Sequence, residues 1–166
     1  MRTPQSHTAL ENPPSQSTLE DLRMPVQAKL AAAWTSFMFL YIYVDYLALY
    51  KPGVVDDILA GNVHEFDTGP TFVALALTLM AVPSLMVLLS TTLPAGVNRA
   101  TNLVVATLFI PASLYNADGE PWSYASFYAL SIGLEVLLLA FILRAAGTWP
   151  RTTRATVEHA PVRVHA

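Results

Sequence analysis

Cysteine is absent from the 166-residue chain, which excludes disulfides, thiolate metal sites and CxxC redox pairs together. Charge is scarce as well: 13% of the residues are Asp, Glu, Lys or Arg, against roughly 25% in an ordinary soluble domain. The basic residues never gather into a patch with interleaved aromatics, and the formal net charge is −3, so no nucleic-acid partner is expected. Histidine is confined to His7, His64, His159 and His165, all outside the long apolar runs, which removes an intramembrane bis-histidine haem. His64-Glu65-Phe66-Asp67 carries three ligand types at a spacing that matches no dependable metal signature. GxSxG, P-loop and HExxH patterns are missing too. No cofactor, no metal and no catalytic residue is therefore expected, and the chain reads as a non-enzyme.

What the chain has instead is apolar sequence, 54% of its residues, concentrated in four runs: Leu30 to Tyr50, Pro70 to Leu89, Val97 to Tyr115 and Trp122 to Leu143. Each matches the roughly 20 residues that cross a hydrocarbon core of about 30 Å at 1.5 Å per residue. A soluble helix normally keeps a polar stripe, whereas Phe72 to Leu77 and Val136 to Leu143 are unbroken apolar runs. The expected fold is an all-α membrane protein, a four-transmembrane-helix up-down bundle over residues 29–144. Residues 1–28 and 145–166 are polar and read as disordered cytoplasmic tails. The polar opening and the Val164-His165-Ala166 close leave neither a cleaved secretory signal nor a lipidation motif expected.

Basic residues in short loops stay on the cytoplasmic side. Arg2, Arg23, Lys29, Arg99, Arg144, Arg151, Arg154 and Arg163 fall on one side of the four runs and Lys51 alone on the other, so both termini are expected in the cytoplasm. Lys51-Pro52-Gly53 ends the first helix, and Val54, Val55, Ile58 and Leu59 form either a brief interfacial segment or an ordinary loop. Leu93 to Gly96 and Asn116 to Pro121 are tight turns that make their flanking helices antiparallel neighbours. Pro83 and Pro111 lie inside helices, where membrane proteins tolerate them. Ser17-Thr18-Leu19-Glu20 matches a capping box for a short surface helix before Pro25.

Two acids stand out, because a carboxyl at mid-membrane costs about 2.5–3.5 kcal/mol on insertion scales. Asp45 lies roughly 7.5 Å from the outer end of its helix, as a snorkelling interfacial acid or the mouth of a site. Glu135 is nine residues before Arg144 and thirteen after Trp122, too deep to snorkel, and Arg144 is on the opposite helical face. Tyr124, Tyr128, Ser131 and Glu135 form one stripe, either a polar track to the buried acid or an interhelical network worth about 0.6–2 kcal/mol per group. Asn98, Asn102, Phe109, Ser113 and Asn116 share a face of the third helix, with Asn102 the expected partner of Glu135. Arg99 either pairs inward or faces headgroups. Trp34, Met38, Tyr41 and Asp45 share a face of the first helix. If the stripes converge, Glu135, Asp45, Asn102, Tyr128, Ser131, Tyr41 and Arg99 are the candidate polar or proton-handling residues. Tyr41, Tyr43, Tyr46 and Tyr50 crowd the outer half of the first helix, with Trp122 and Tyr124 at the outer start of the fourth, and interfacial anchoring explains most of them in preference to a ligand cage.

Asp45 with Lys51-Pro52-Gly53 after it, Pro83, Asn98-Arg99 with Asn102, and Glu135 together resemble the uncharacterised bacterial family catalogued as domain of unknown function 6326, over about residues 29–149. That resemblance implies a four-helix, broadly DoxX-like fold in the bacterial inner membrane, and no activity. The chain departs from the family pattern at Ala81, two residues before Pro83, where an acid is expected. No role for an acid on the second helix carries over.

The leading functional expectation is a small non-enzymatic membrane protein or accessory subunit, in contact with the lipid bilayer and with a second copy or another membrane protein. The alternative is a proton-coupled transporter of small or cationic molecules using Glu135. A membrane redox or quinone-linked protein comes third.

Overall fold

The computed structural model describes residues 24–116 and 118–150; the Ser17 to Glu20 capping box and most of both tails lie outside them, while residues 26–28 and 145–147, expected in the tails, are helical and extend the first and last helices. Helix α1 spans Val26–Ala48 and a short α2 spans Val54–Leu59. A two-residue ladder, β1 (Asn62–Val63) with β2 (Phe66–Asp67), pairs Asn62 with Asp67 and Val63 with Phe66. Helices α3 (Pro70–Thr92) and α4 (Ala95–Tyr115) follow, then a single 3-10 turn at Trp122–Tyr124 and α5 (Ala125–Gly147).

Proline and glycine set these boundaries. Pro25 and Pro94 occupy the N-cap positions of α1 and α4, and Pro70 begins α3 behind Gly69, positions where a fixed φ and a missing N–H fit the first turn. Gly53 sits at φ 87°, the left-handed conformation that lets the chain reverse between α1 and α2. The Val54 to Leu59 segment is thus helical rather than an irregular loop. Pro83 and Pro111 stay inside helices that continue through them.

Three helices among the described residues are long and apolar enough to cross a membrane: Val26–Ala48, Pro70–Thr92 and Trp122–Gly147. The run at Val97 to Tyr115, read from sequence as a fourth span, does not reach that level, because Asn98, Arg99 and Asn102 crowd its first two turns. The structure buries Asn98 and Asn102 completely, so the residues that lower its average point into the protein.

Helix α1 packs along both α3 and α5, and α5 also packs along α4. The pairing expected from the Leu93 to Gly96 turn is weak, since α3 and α4 touch little. Asn98 explains where they do meet: its Nδ2 donates to the Ser90 carbonyl at 2.6 Å and the Leu93 carbonyl at 3.5 Å. Beyond that clasp α3 follows α1, leaving a seam between α3 and α4. The core is built on α1, where Trp34 and Phe37 each meet Phe109 of α4 edge to face at 6.2 and 5.7 Å, a geometry worth about 0.5–1.5 kcal/mol per pair beyond area burial.

Candidate functional site

The stripes read from sequence point inward, but they resolve into separate layers rather than one cavity. At the Arg99 end, Trp34 Nε1 donates to Asn102 Oδ1 at 2.7 Å, and the Ser90 hydroxyl donates to the same oxygen at 3.4 Å. Asn102 Nδ2 in turn donates to the Asn98 carbonyl and to Asn98 Oδ1, at 2.9 and 2.7 Å. Trp34, Ser90, Asn98 and Asn102 are all buried, so this is a closed network. Asn102 therefore partners Trp34 and not Glu135. Helical side chains lean toward the N-terminus of their own helix, which on α5 carries the Glu135 carboxyl away from the Asn102 layer.

Arg99 forms no ion pair with Glu135. Its Nε donates to the Ala146 carbonyl at 3.1 Å, in the last turn of α5, where the helix dipole favours a cation. It ties α4 to the end of α5.

Glu135 is only 1% exposed, and its Oε2 and the Ser113 hydroxyl are the buried side-chain polar atoms without a hydrogen-bond partner among the described residues. The track suggested by the α5 stripe is broken at Ser131, whose hydroxyl turns back to the Tyr128 carbonyl at 3.2 Å. Tyr41 is buried and stacks on Phe37 at 5.8 Å, and Asp45 is exposed.

The most elaborate cluster lies at the other end, and the sequence reading missed it. Lys51 Nζ donates to Glu120 Oε1 and Oε2 at 2.6 and 2.7 Å and to the Tyr128 hydroxyl at 2.7 Å. The Tyr128 hydroxyl donates to Glu120 Oε1 at 2.6 Å. All three ammonium donors are thereby satisfied, and the cation also sits over the Tyr128 ring, 5.0 Å from its centroid, within cation–π range. Burial alone would raise the Glu120 carboxyl, but hydrogen bonds from Lys51 and Tyr128 outweigh it and hold the group below its usual range. Burial likewise pulls the Lys51 ammonium down, and the bonds with Glu120 and Tyr128 carry it above its ordinary value. The sequence signal was modest: Lys51 is the one basic residue at an end rich in acids.

His64 completes this end. It sits at φ 53°, the left-handed conformation that the two-residue turn between β1 and β2 calls for. Its Nε2 lies 3.4 Å from Glu120 Oε1. Two cavities meet at this point. One, of about 520 Å³, is lined by Asp45, Lys51, Asp57, His64, Glu120 and Tyr124 among others; the second, of about 380 Å³, lies on the α3 side and shares Asp45, Val63 and His64 with it. Among the described residues no three His, Asp or Glu side chains gather into a metal-holding group.

No curated protein and no solved structure matches the chain. A family model does match, the one described as family of unknown function (DUF6326), over residues 22–156. That span takes in every helix, the closed Asn102 network and the Lys51–Glu120 cluster alike, and the chain belongs to this family.

Proposed function

We propose that the protein is a four-helix up-down bundle in the bacterial cytoplasmic membrane, with both termini cytoplasmic. In this reading it acts without catalysis, as a small membrane subunit whose polar groups hold its own helices while its apolar faces meet lipid and a membrane partner. The observation that carries the membrane reading is the inverted surface of α3. Leu75, Leu77, Leu85 and Leu88 are exposed while only Pro83, Met86 and Ser90 of that helix are buried, an apolar area far beyond what water tolerates on a monomer. Helix α4 supports a fourth span by the same logic: Val104, Leu108 and Leu114 are exposed while Asn98, Asn102 and Ser113 are buried. Lys29, Arg99 and Arg144 lie at one end and Lys51, ion-paired to Glu120, at the other, which supports the orientation.

Because the chain has no cysteine, single cysteines test this cleanly. An impermeant maleimide on intact cells is expected to label Asp57→Cys and to reach Thr148→Cys only after lysis. Labelling of Thr148→Cys on intact cells inverts the topology, and equal labelling of both in a soluble fraction removes the membrane reading.

One observation favours proton-coupled transport as a second reading: among the described residues, Glu135 Oε2 and the Ser113 hydroxyl are buried without hydrogen-bond partners. A buried acid without a fixed partner is the kind of group that loads and releases protons. Glu135→Gln separates the two. In the subunit reading the variant inserts, folds and supports its host cell as the wild type does; in the transport reading it folds equally well but abolishes flux driven by a pH gradient in proteoliposomes.

A further inference from the structure

The seam between α3 and α4 widens away from the Asn98 clasp into the cavity of about 380 Å³, and its walls include Tyr41, Asp45, Phe66, Phe72, Leu79 and Tyr115. Its volume falls within the range of small-molecule sites, about 300–1,000 Å³. Two features of the wall agree on one ligand chemistry. Phe66 and Phe72 stack with centroids 6.1 Å apart, and the Phe66 and Tyr115 rings are exposed, so aromatic faces are presented to whatever enters. Asp45, exposed, has no hydrogen bond or ion pair with any described residue, whereas Glu120, close by, is fully engaged by Lys51.

We propose that this groove binds a lipophilic organic cation, its apolar body between α3 and α4 against the Phe66, Phe72 and Tyr115 rings and its charged centre paired with the Asp45 carboxylate. Charge complementarity selects the occupant. A free carboxylate beside aromatic faces favours a cation twice, through Coulomb attraction and through the ring quadrupoles at about 0.5–2 kcal/mol per face, and it repels an anion of the same shape. Asp45 also borders the larger of the two cavities, which Lys51, Asp57 and Glu120 line as well, so the charged centre stays near water while the body lies in the groove. The proposal rests on the membrane-spanning reading, because the seam then opens laterally to lipid, and it is independent of Glu135.

The test uses the full chain in dodecyl maltoside, which carries no amine, after the cysteine-labelling experiment has established insertion. Radiolabelled tetraphenylphosphonium is expected to bind saturably, with affinity at least tenfold lower in Asp45→Asn. Ala76→Phe, which fills the groove from the α3 wall and leaves the carboxylate intact, is expected to weaken binding comparably, while Leu88→Phe near the far end of α3 leaves it unchanged. Tetraphenylborate, equal in size and opposite in charge, is expected not to compete. Binding that is indifferent to Asp45→Asn, or competition by tetraphenylborate, overturns the proposal in favour of a merely apolar groove. Displacement of the probe by phosphatidylethanolamine overturns it in favour of a lipid headgroup. Correct cysteine labelling without probe binding sinks this inference alone, and failure of the labelling sinks the membrane reading beneath it.

Discussion

Lys51→Met is expected to destabilise the folded protein by about 3 kcal/mol, the lower end of the range for breaking a buried ion pair by removing one partner. The side chains of Lys51 and Glu120 are 11% and 8% exposed, so methionine keeps much of the packing but strands a carboxylate that has lost two of its charge-assisted hydrogen bonds. Tyr128 still donates to that carboxylate, and the adjoining cavity lets water approach, which is why the upper end of the range is not expected. Adding Glu120→Leu removes the stranded charge and should recover most of the loss. Equilibrium unfolding of the four proteins of this cycle in mixed micelles measures the coupling directly. A Lys51→Met loss under about 1 kcal/mol would class the pair with ordinary surface bridges.

The same pair fixes a pH window. Glu120 is held below its ordinary value in the folded protein, so its contribution is fully present above that value and fades as pH falls through the lower folded one; Lys51 is held above its ordinary value, so its contribution persists until pH rises through the higher folded one. Stability from this pair is therefore flat across neutral pH and falls only in acid or strong base.

Much of the fold was legible because apolar runs announce helices regardless of their partners. The runs from Pro70 and from Val97 are helical at those positions, and each of the four helices departs from its apolar run by a few residues at one end or both. The tyrosines of α1 divide as 100° steps require: Tyr43 and Tyr46 are exposed while Tyr41 turns into the core, and Tyr46 bonds at 2.9 Å to Tyr50, exposed just beyond the helix end. Illegible was everything that depends on which residues meet across long stretches of chain. Lys51 and Glu120 are separated by 69 residues, and neither has a local pattern that names the other. Asn102 was matched to the wrong partner because a helical wheel gives the face of a residue but not the depth its side chain reaches. Trp34, placed from sequence on one face with Met38, Tyr41 and Asp45 but matched to no partner, carries the indole donor that Asn102 accepts from.

That indole defines the second large effect. Asn102→Ala is expected to cost about 2–4 kcal/mol, because it leaves the Trp34 Nε1–H, the Asn98 amide oxygen and the Ser90 hydroxyl short of a partner in a fully buried layer, at about 1–3 kcal/mol per stranded group before relaxation. Interhelical hydrogen bonds in membranes average nearer 0.6 kcal/mol, with a maximum of about 1.7, so the sum stays well below the simple total. Trp34→Phe removes one donor and leaves only the Asn102 oxygen underused, with Ser90 still bonded to it; a loss of about 1 kcal/mol is expected. The ratio between the two variants is the informative quantity. A loss for Asn102→Ala at least twice that for Trp34→Phe places the amide at the junction of three helices, since Trp34, Ser90 and Asn98 belong to α1, α3 and α4. Equal losses would mean that only the indole bond matters and that the Asn98 clasp holds α3 to α4 unaided. Probe binding at the Asp45 groove should survive both changes in whatever fraction stays folded, because the Asn102 network is closed and none of its residues lines that groove.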